Sequence, residues 1–372
     1  MKIFHLVFLL FAILFFCFVV ENIIEVPTNT IPGSDFRALY TGAKMAKHNV
    51  SDNFYNLSTQ YFWQKSIFNL NSKEYLMLFS NPPMLALLIS PLANFTVKTS
   101  YVLFAIINTF LAIFAFYFLI TADKKKQSIT HVLIILFFLS IYPPVWNAIL
   151  QGQWSFFLLL GFILSNYFFA KGKTFLSGLS LSLLLIRPHL ILLPLLIIII
   201  KRKWGMLSGL GFGILITAIL SYFQVGLKGL INYANFLISI PSWGDQYTVH
   251  PTIEPTLRGF LQNIFHTNHI SPILPLFIAI TIITLILLRK SLLNFNFISI
   301  ITVTLFTSIH TNYHDLVLLL IPCIEIINNI KNTLMIFVAL ALLLLISAIP
   351  SSPIFAILLY GILFYFILKK KN

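Results

Sequence analysis

At 372 residues the chain is long enough for two or three soluble domains, but 59% of it is hydrophobic and only 9% is charged. A soluble fold carries roughly a quarter charged residues, so water is not its main solvent. The net charge of +14 does not read as a nucleic-acid footprint, which gathers basic residues on one solvated face, whereas these are dispersed in short clusters between apolar runs.

The first apolar run, Ile3 to Val20, follows Lys2. It is longer than the roughly 7 to 15 residues of a signal-peptide core and no small-residue cleavage site follows, so it reads as a retained first span. Further apolar runs lie near 99–120, 129–146, 154–170, 174–187, 189–200, 205–223, 272–288, 293–309, 315–330, 333–348 and 353–368. At about 20 residues per span the pattern predicts an all-α polytopic membrane protein of about twelve transmembrane helices, a single integral domain over 1–372. The short pair around 174–200 reads as one bent hairpin or two tilted helices. Cys17 and Cys323 sit inside apolar runs, where they act as small hydrophobes rather than as a disulfide or a metal site.

Threading these spans sorts the basic residues unevenly. Fifteen of the 24 Lys and Arg fall on one side, in minimal turns such as Lys124 to Lys126, Lys171 to Lys173 and Lys201 to Lys203. The positive-inside rule makes that side, with both termini, cytoplasmic. Eight acids, among them Asp35, Asp245, Glu254 and Asp315, fall on the other side, leaving Asp123 and Glu325 within. The chemistry is therefore expected outside, at a multi-pass cell membrane.

Two outer segments, 21–98 and 224–271, are too long to be turns and rich in aromatic residues and proline. Loops beyond about 15 residues tend to be functional or disordered, and this composition argues for order. Asn81-Pro-Pro83 followed by the apolar stretch Met84 to Leu92 is too short to cross and predicts a re-entrant or interfacial segment. Gly205, Gly209 and Gly213 lie inside an apolar run with no preceding strand, which points to small-residue helix packing rather than a phosphate loop. No Asp-x-Asp pair occurs, which disfavours an enzyme that uses nucleotide sugars directly.

Four outer clusters remain. Gly33-Ser-Asp35-Phe-Arg37-Ala-Leu-Tyr40 places a carboxylate and aromatics just beyond the first span; Asp35 reads as a solvated loop acid or as a general base in a partly desolvated pocket. Asn147-Ala-Ile-Leu-Gln151-Gly-Gln153-Trp154 offers amides that cap or bridge helices, or bind sugar hydroxyls with Trp154 stacking beside them. Arg187-Pro-His189 puts a cation in an apolar stretch, where it needs a partner: a lipid phosphate or an internal acid. In His310-Thr-Asn-Tyr-His314-Asp315 the histidines fit substrate contacts better than a metal, and Asp315 could instead cap the following helix.

Taken in order, Asp35-Phe-x-x-x-Tyr40, Asn81-Pro-Pro83 with Pro91-Leu-Ala93, Gln151-Gly-Gln153, Arg187-Pro188, Leu257-Arg-Gly259 and His310-Thr-Asn-Tyr-His-Asp315-Leu resemble the polyprenyl-phosphate-mannose-dependent mannosyltransferases of the GT-C fold, glycosyltransferase family 87. The likeness runs from about residue 30 to 322. It departs where members often have Lys at Arg187 and Pro at Ile309.

The resemblance implies a GT-C-like fold whose two longer extracytoplasmic loops hold short or re-entrant helices. It also implies transfer of a sugar, mannose by expectation, from a polyprenyl phosphate donor to an extracytoplasmic lipid or glycan acceptor with inversion. Asp35 would be the base. Arg187, Arg258 and His189 would meet the donor phosphate; Tyr40, Asn81, Gln151, Gln153, Trp154, His310, His314 and Asp315 would line the substrate site. No cofactor, metal or nucleic acid is implied. A transporter or lipid flippase is the alternative from another class, but it predicts ionisable residues deep in several spans and an internal repeat, and neither is evident. A non-catalytic partner in an envelope complex is the third reading.

Overall fold

A computed structural model of the protein describes residues 2–31, 34–70, 76–121, 129–243, 251–329, 344 and 353–369. Apart from Leu344, the expected span at 333–348 lies outside the described residues, as do Gly33, Asp123 and Asp245. Every regular element among those described is helical.

The long helix α1 (Lys2–Glu25) leads to two short ones, α2 (Phe36–Lys47) and α3 (Leu57–Phe68), and to the proline-led α4 (Pro83–Ile89), which tightens into a 3₁₀ turn, Ser90–Asn94. Next come α5 (Val97–Thr121), α6 (Ile129–Ile141), α7 (Pro143–Leu150) and α8 (Ser155–Ala170). The 174–200 segment divides into α9 (Thr174–Leu181), 3₁₀ turns at Ser182–Ile186 and Pro188–Ile191, and α10 (Leu192–Ile200). After α11 (Trp204–Trp243) follow α12 (Leu257–Ile264), α13 (Leu274–Leu293) and α14 (Phe297–Phe306). A 3₁₀ turn, Tyr313–Leu319, then leads into α15 (Leu320–Asn329), and α16 (Pro353–Lys369) is the last described helix.

Among the described residues four helices are long and apolar enough to cross a membrane: Ile3–Glu25, Val97–Thr121, Trp204–Ile240 and Leu274–Leu293. α1 has 24 residues, about 36 Å at 1.5 Å per residue, enough for a hydrocarbon core of about 30 Å. Leu6, Leu9, Leu10 and Leu14 are each more than half exposed on it, while Phe15, Val19 and Ile23 are buried. A helix apolar on every side yet half uncovered is what lipid solvates. α6 and α7 form a further pair bent by 47° at Pro143-Pro144, where Pro144 has no N–H to give the helix and the extended Tyr142 (φ −65°, ψ 112°) cannot continue it. Six shorter apolar helices complete the set.

α11 runs 40 residues, bending at Gly226, so residues 224–243 of the expected second loop are helical rather than irregular. A backbone at φ 66°, ψ 179° is one that only glycine adopts without strain. The glycines of its first half do pack a neighbour: a Cβ on Gly209 would strike the Phe175 carbonyl of α9, and one on Gly213 would strike Ser182. The segment after Asn81 is the short α4, which lies against α2 and α11 and whose Met84 N–H donates to Ser221 Oγ at 3.1 Å. At the end of α1, Lys98 donates to the carbonyls of Ile23, Ile24 and Val26, groups that a helix terminus leaves without internal partners.

Candidate active site

Asp35 stands at the N-cap position of α2 but makes no side-chain cap. Its N–H donates to Gln151 Oε1 at 3.0 Å, and its Oδ2 accepts from Gln153 Nε2 at 2.6 Å. Oδ1 accepts no hydrogen bond among the described residues. Both amides come from the α7–α8 turn, which passes through Gly152 at φ +66°. A Cβ there would approach Phe36 Cβ to 2.9 Å, so the absence of a side chain lets α2 seat against the turn and brings the carboxylate to the amides. Below it Phe36 is buried among Tyr101, Phe104 and Tyr40.

Gln153 is oriented in turn by Arg187. Arg187 interrupts the 3₁₀ turns with an extended backbone (φ −128°, ψ 84°), and its Nη2 donates to Gln153 Oε1 at 3.2 Å. Guanidinium nitrogens only donate, so the amide oxygen faces Arg187 and the amide hydrogens face Asp35. The same Nη2 lies 2.8 Å from His314 Nε2, making that nitrogen the acceptor and placing the ring hydrogen on Nδ1. Burial pushes the His314 pKa down to about 4, against the upward pull of Asp315, consistent with a neutral ring.

Arg187 Nε reaches Asp315 Oδ1 at 3.2 Å, with the guanidinium side chain 13% exposed and the carboxylate fully buried. Of the two partners open to Arg187, the internal acid is therefore present. Asp315 also accepts from Ser155 Oγ at 3.2 Å and from the Asn312 N–H at 3.0 Å, as the acid at the third position of a helical turn does. One chain of contacts thus runs from Asp35 through Gln153 to Arg187, His314 and Asp315.

A second cluster adjoins it. The His189 ring, two residues on from Arg187, packs edge-on against His310, centroids 6.0 Å apart. His310 Nδ1 meets Glu254 Oε1 at 2.6 Å. Arg258 Nη1 donates to the Ile309 carbonyl at 2.7 Å and its Nε to Gln262 Oε1 at 2.9 Å. Burial pulls the Arg258 pKa below its ordinary value while Glu254 pulls it up.

Three further expected site residues have these surroundings. The Tyr40 hydroxyl donates to the Phe95 carbonyl at 2.7 Å, and the Asn81 carbonyl accepts from the Tyr55 hydroxyl at 2.6 Å. Trp154 is buried edge-on against Phe104. Glu254, Ser155 and Gln262 are the members that the sequence motifs did not single out for this network; Glu254, an acid between Ile253 and Pro255 in an apolar context, carried the one readable signal.

One cavity borders this region and another lies apart from it. One of about 340 Å³ is lined by Thr30, Ile31, Ser34, Tyr101 and Gln151, beside the backbone of Asp35. A more open apolar one of about 640 Å³ lies farther along α1, between Phe11, Phe15, Phe18 and Trp146. Together the groups can take a proton at one place and hold negative charge at another. That pairing suits a displacement in which a hydroxyl attacks and an anion leaves.

No curated protein and no solved structure matched the chain. The family model of glycosyltransferase family 87 matches residues 79–309, more than half the chain, and the matched stretch includes Gln151, Gln153, Arg187, His189, Glu254 and Arg258. With its apolar helices and this match, the chain belongs to glycosyltransferase family 87 and is a membrane glycosyltransferase.

Proposed function

We propose that the enzyme moves a sugar, mannose by preference, from a polyprenyl phosphate to a hydroxyl of a lipid or glycan acceptor at the extracytoplasmic face, with Asp35 as general base. The architecture would be GT-C-like, with about a dozen spans and both termini in the cytoplasm. One observation carries this reading: a single amide, Gln153, touches the Asp35 carboxylate at 2.6 Å and the Arg187 guanidinium at 3.2 Å. Proton acceptor and cation are thereby held at a fixed separation, as a displacement at a carbon between them requires.

In that reaction the acceptor oxygen bonds to the anomeric carbon as the bond from that carbon to the phosphate oxygen breaks. The hydroxyl proton passes to Asp35 Oδ1, and the bonding pair leaves on the phosphate. Attack opposite the leaving group inverts the configuration. The acceptor approaches through the cavity beside Gln151; the donor phosphate lies toward Arg187, His189, His310 and Arg258, where positive and hydrogen-bonding groups stabilise the charge that develops.

Transfer from radiolabelled polyprenyl-phosphate-mannose to an envelope-lipid extract by the purified protein in liposomes tests the reading. Asp35→Asn should lower turnover by about 10²- to 10⁴-fold, the range typical of removing a general base, while the variant still elutes as a folded monodisperse protein. Equal product from both proteins would rule out Asp35 as the base.

A further inference from the structure

Glu254 is 3% exposed beside a His310 ring that is 34% exposed. The segment that carries it is pinned at several points. The Thr256 N–H donates to the Glu254 carbonyl at 2.8 Å, Thr256 Oγ1 caps α12 by accepting from the Gly259 N–H at 3.0 Å, and the Tyr360 hydroxyl donates to the Pro255 carbonyl at 3.2 Å. One helical turn on, Arg258 holds the carbonyl of Ile309, the residue before His310. His310 is fastened at its own backbone as well: Ser308 Oγ donates to its carbonyl at 2.8 Å and accepts from its N–H at 3.3 Å. A carboxylate oxygen only accepts, so the 2.6 Å contact puts the ring hydrogen on Nδ1.

With Nδ1 engaged by Glu254 and one side covered by His189, Nε2 is the ring nitrogen left to a ligand. The second oxygen, Glu254 Oε2, is buried with no hydrogen-bond partner among the described residues. A buried acceptor left in that state is exceptional and calls for a reason. Fold stability alone supplies a poor one, because an apolar residue there would leave no acceptor unmet.

We infer that Glu254 is a positioning residue: it fixes the tautomer and orientation of His310 so that Nε2 is presented to the phosphate of the lipid-linked donor. This rests on the proposed donor chemistry, and the test keeps the two separable. Glu254 does not touch the reacting atoms; it acts through the ring.

The experiment uses the full-length protein in detergent, labelled with ¹⁵N at histidine, with His310→Ala identifying the ring signal. In the wild type the proton should reside on Nδ1. In Glu254→Met no acceptor faces Nδ1, and the ring should lose its fixed Nδ1-protonated form; Glu254→Asp should keep the wild-type form. These spectra need no donor, so they stand if polyprenyl-phosphate-mannose proves to be the wrong substrate.

Turnover is the second readout. Glu254→Met should lower kcat about tenfold or more, a modest part of what acid–base and charge-stabilising groups contribute, and should add no further loss in the His310→Ala background. Glu254→Asp should recover part of the activity. An unchanged tautomer in Glu254→Met, or the same loss with and without His310, would overturn the inference and leave Glu254 a structural residue.

Discussion

Asp315→Asn is the substitution to which the charge network should respond most sharply. Asp315 is fully buried and its partner Arg187 nearly so. The carboxylate accepts from Arg187 Nε and Ser155 Oγ on Oδ1, and from the Asn312 N–H on Oδ2. Asparagine has one acceptor oxygen where the carboxylate has two. With that oxygen toward Arg187 the amide hydrogens face the Asn312 N–H; turned over, they face Arg187. Donor meets donor either way, and the guanidinium loses its counter-charge. Breaking a buried pair by removing one partner costs about 3–5 kcal/mol, and the surviving hydrogen bond offsets about 1 kcal/mol, so the loss should be about 2–4 kcal/mol. Reversible unfolding of the purified protein in mixed micelles against increasing SDS measures it. The double variant Arg187→Met, Asp315→Leu removes both charges for apolar side chains. It should regain most of the stability yet remain inactive, because Gln153 no longer has a guanidinium to orient it. The reasoning fails if Asp315→Asn unfolds within about 0.5 kcal/mol of wild type, the spread of an ordinary surface change, or if the double variant transfers sugar at the wild-type rate.

Acid should weaken the fold through His314. Its pKa is held at about 4 by burial, against about 6.5 in an unfolded chain. The unfolded state therefore takes up the proton first, and the contribution is intact above pH 6.5 and lost as pH falls from about 6.5 toward 4, at up to about 1.4 kcal/mol per pH unit. Unfolding at pH 7 and pH 5 should differ less in His314→Gln than in wild type; equal differences would mean that another group carries the effect. Gly152→Ala forces a side chain into a φ of +66° and to 2.9 Å from Phe36 Cβ. It should cost about 1–2 kcal/mol from the left-handed backbone alone and reduce turnover further by displacing Asp35. Wild-type turnover in a folded Gly152→Ala protein would show that the turn does not set the position of the carboxylate.

The helical, membrane-embedded character was legible because it depends on composition over windows of about 20 residues. That Gly209 and Gly213 pack a neighbouring helix was legible for a similar reason: glycines four apart make a flat stripe wherever a neighbour comes close. The helical stretch at 224–243 was not. Gln224, Lys228, Asn232 and Asn235 break the apolar run, and hydropathy reports where the solvent changes rather than where the backbone hydrogen bonds stop. Asn232 is in fact used, donating to the Asp52 carbonyl at 2.8 Å, and Lys228 pairs with the Asp52 carboxylate at 3.0 Å. The polarity that resembled a loop faces the segment between α2 and α3.

For the site, sequence pattern locates each polar residue along the chain without naming its neighbour. Asp35 followed by Phe36 at the start of a helix looks like an ordinary N-cap, a role that would engage the carboxylate with the first N–H groups of α2. That engagement is missing, and the groups that take its place come from 116 and 118 residues away. Arg187 likewise meets His314 across 127 residues, and nothing local to Arg187-Pro188 distinguishes an internal acid from a lipid phosphate. The family match over 79–309 includes the middle of this network and omits both Asp35 and His314-Asp315. Those ends are attached to the middle by amide and guanidinium geometry, in which Gln153 turns its hydrogens to Asp35 and its oxygen to Arg187. Displacing Gln153 should therefore uncouple Asp35 from Arg187 while leaving every matched helix in place.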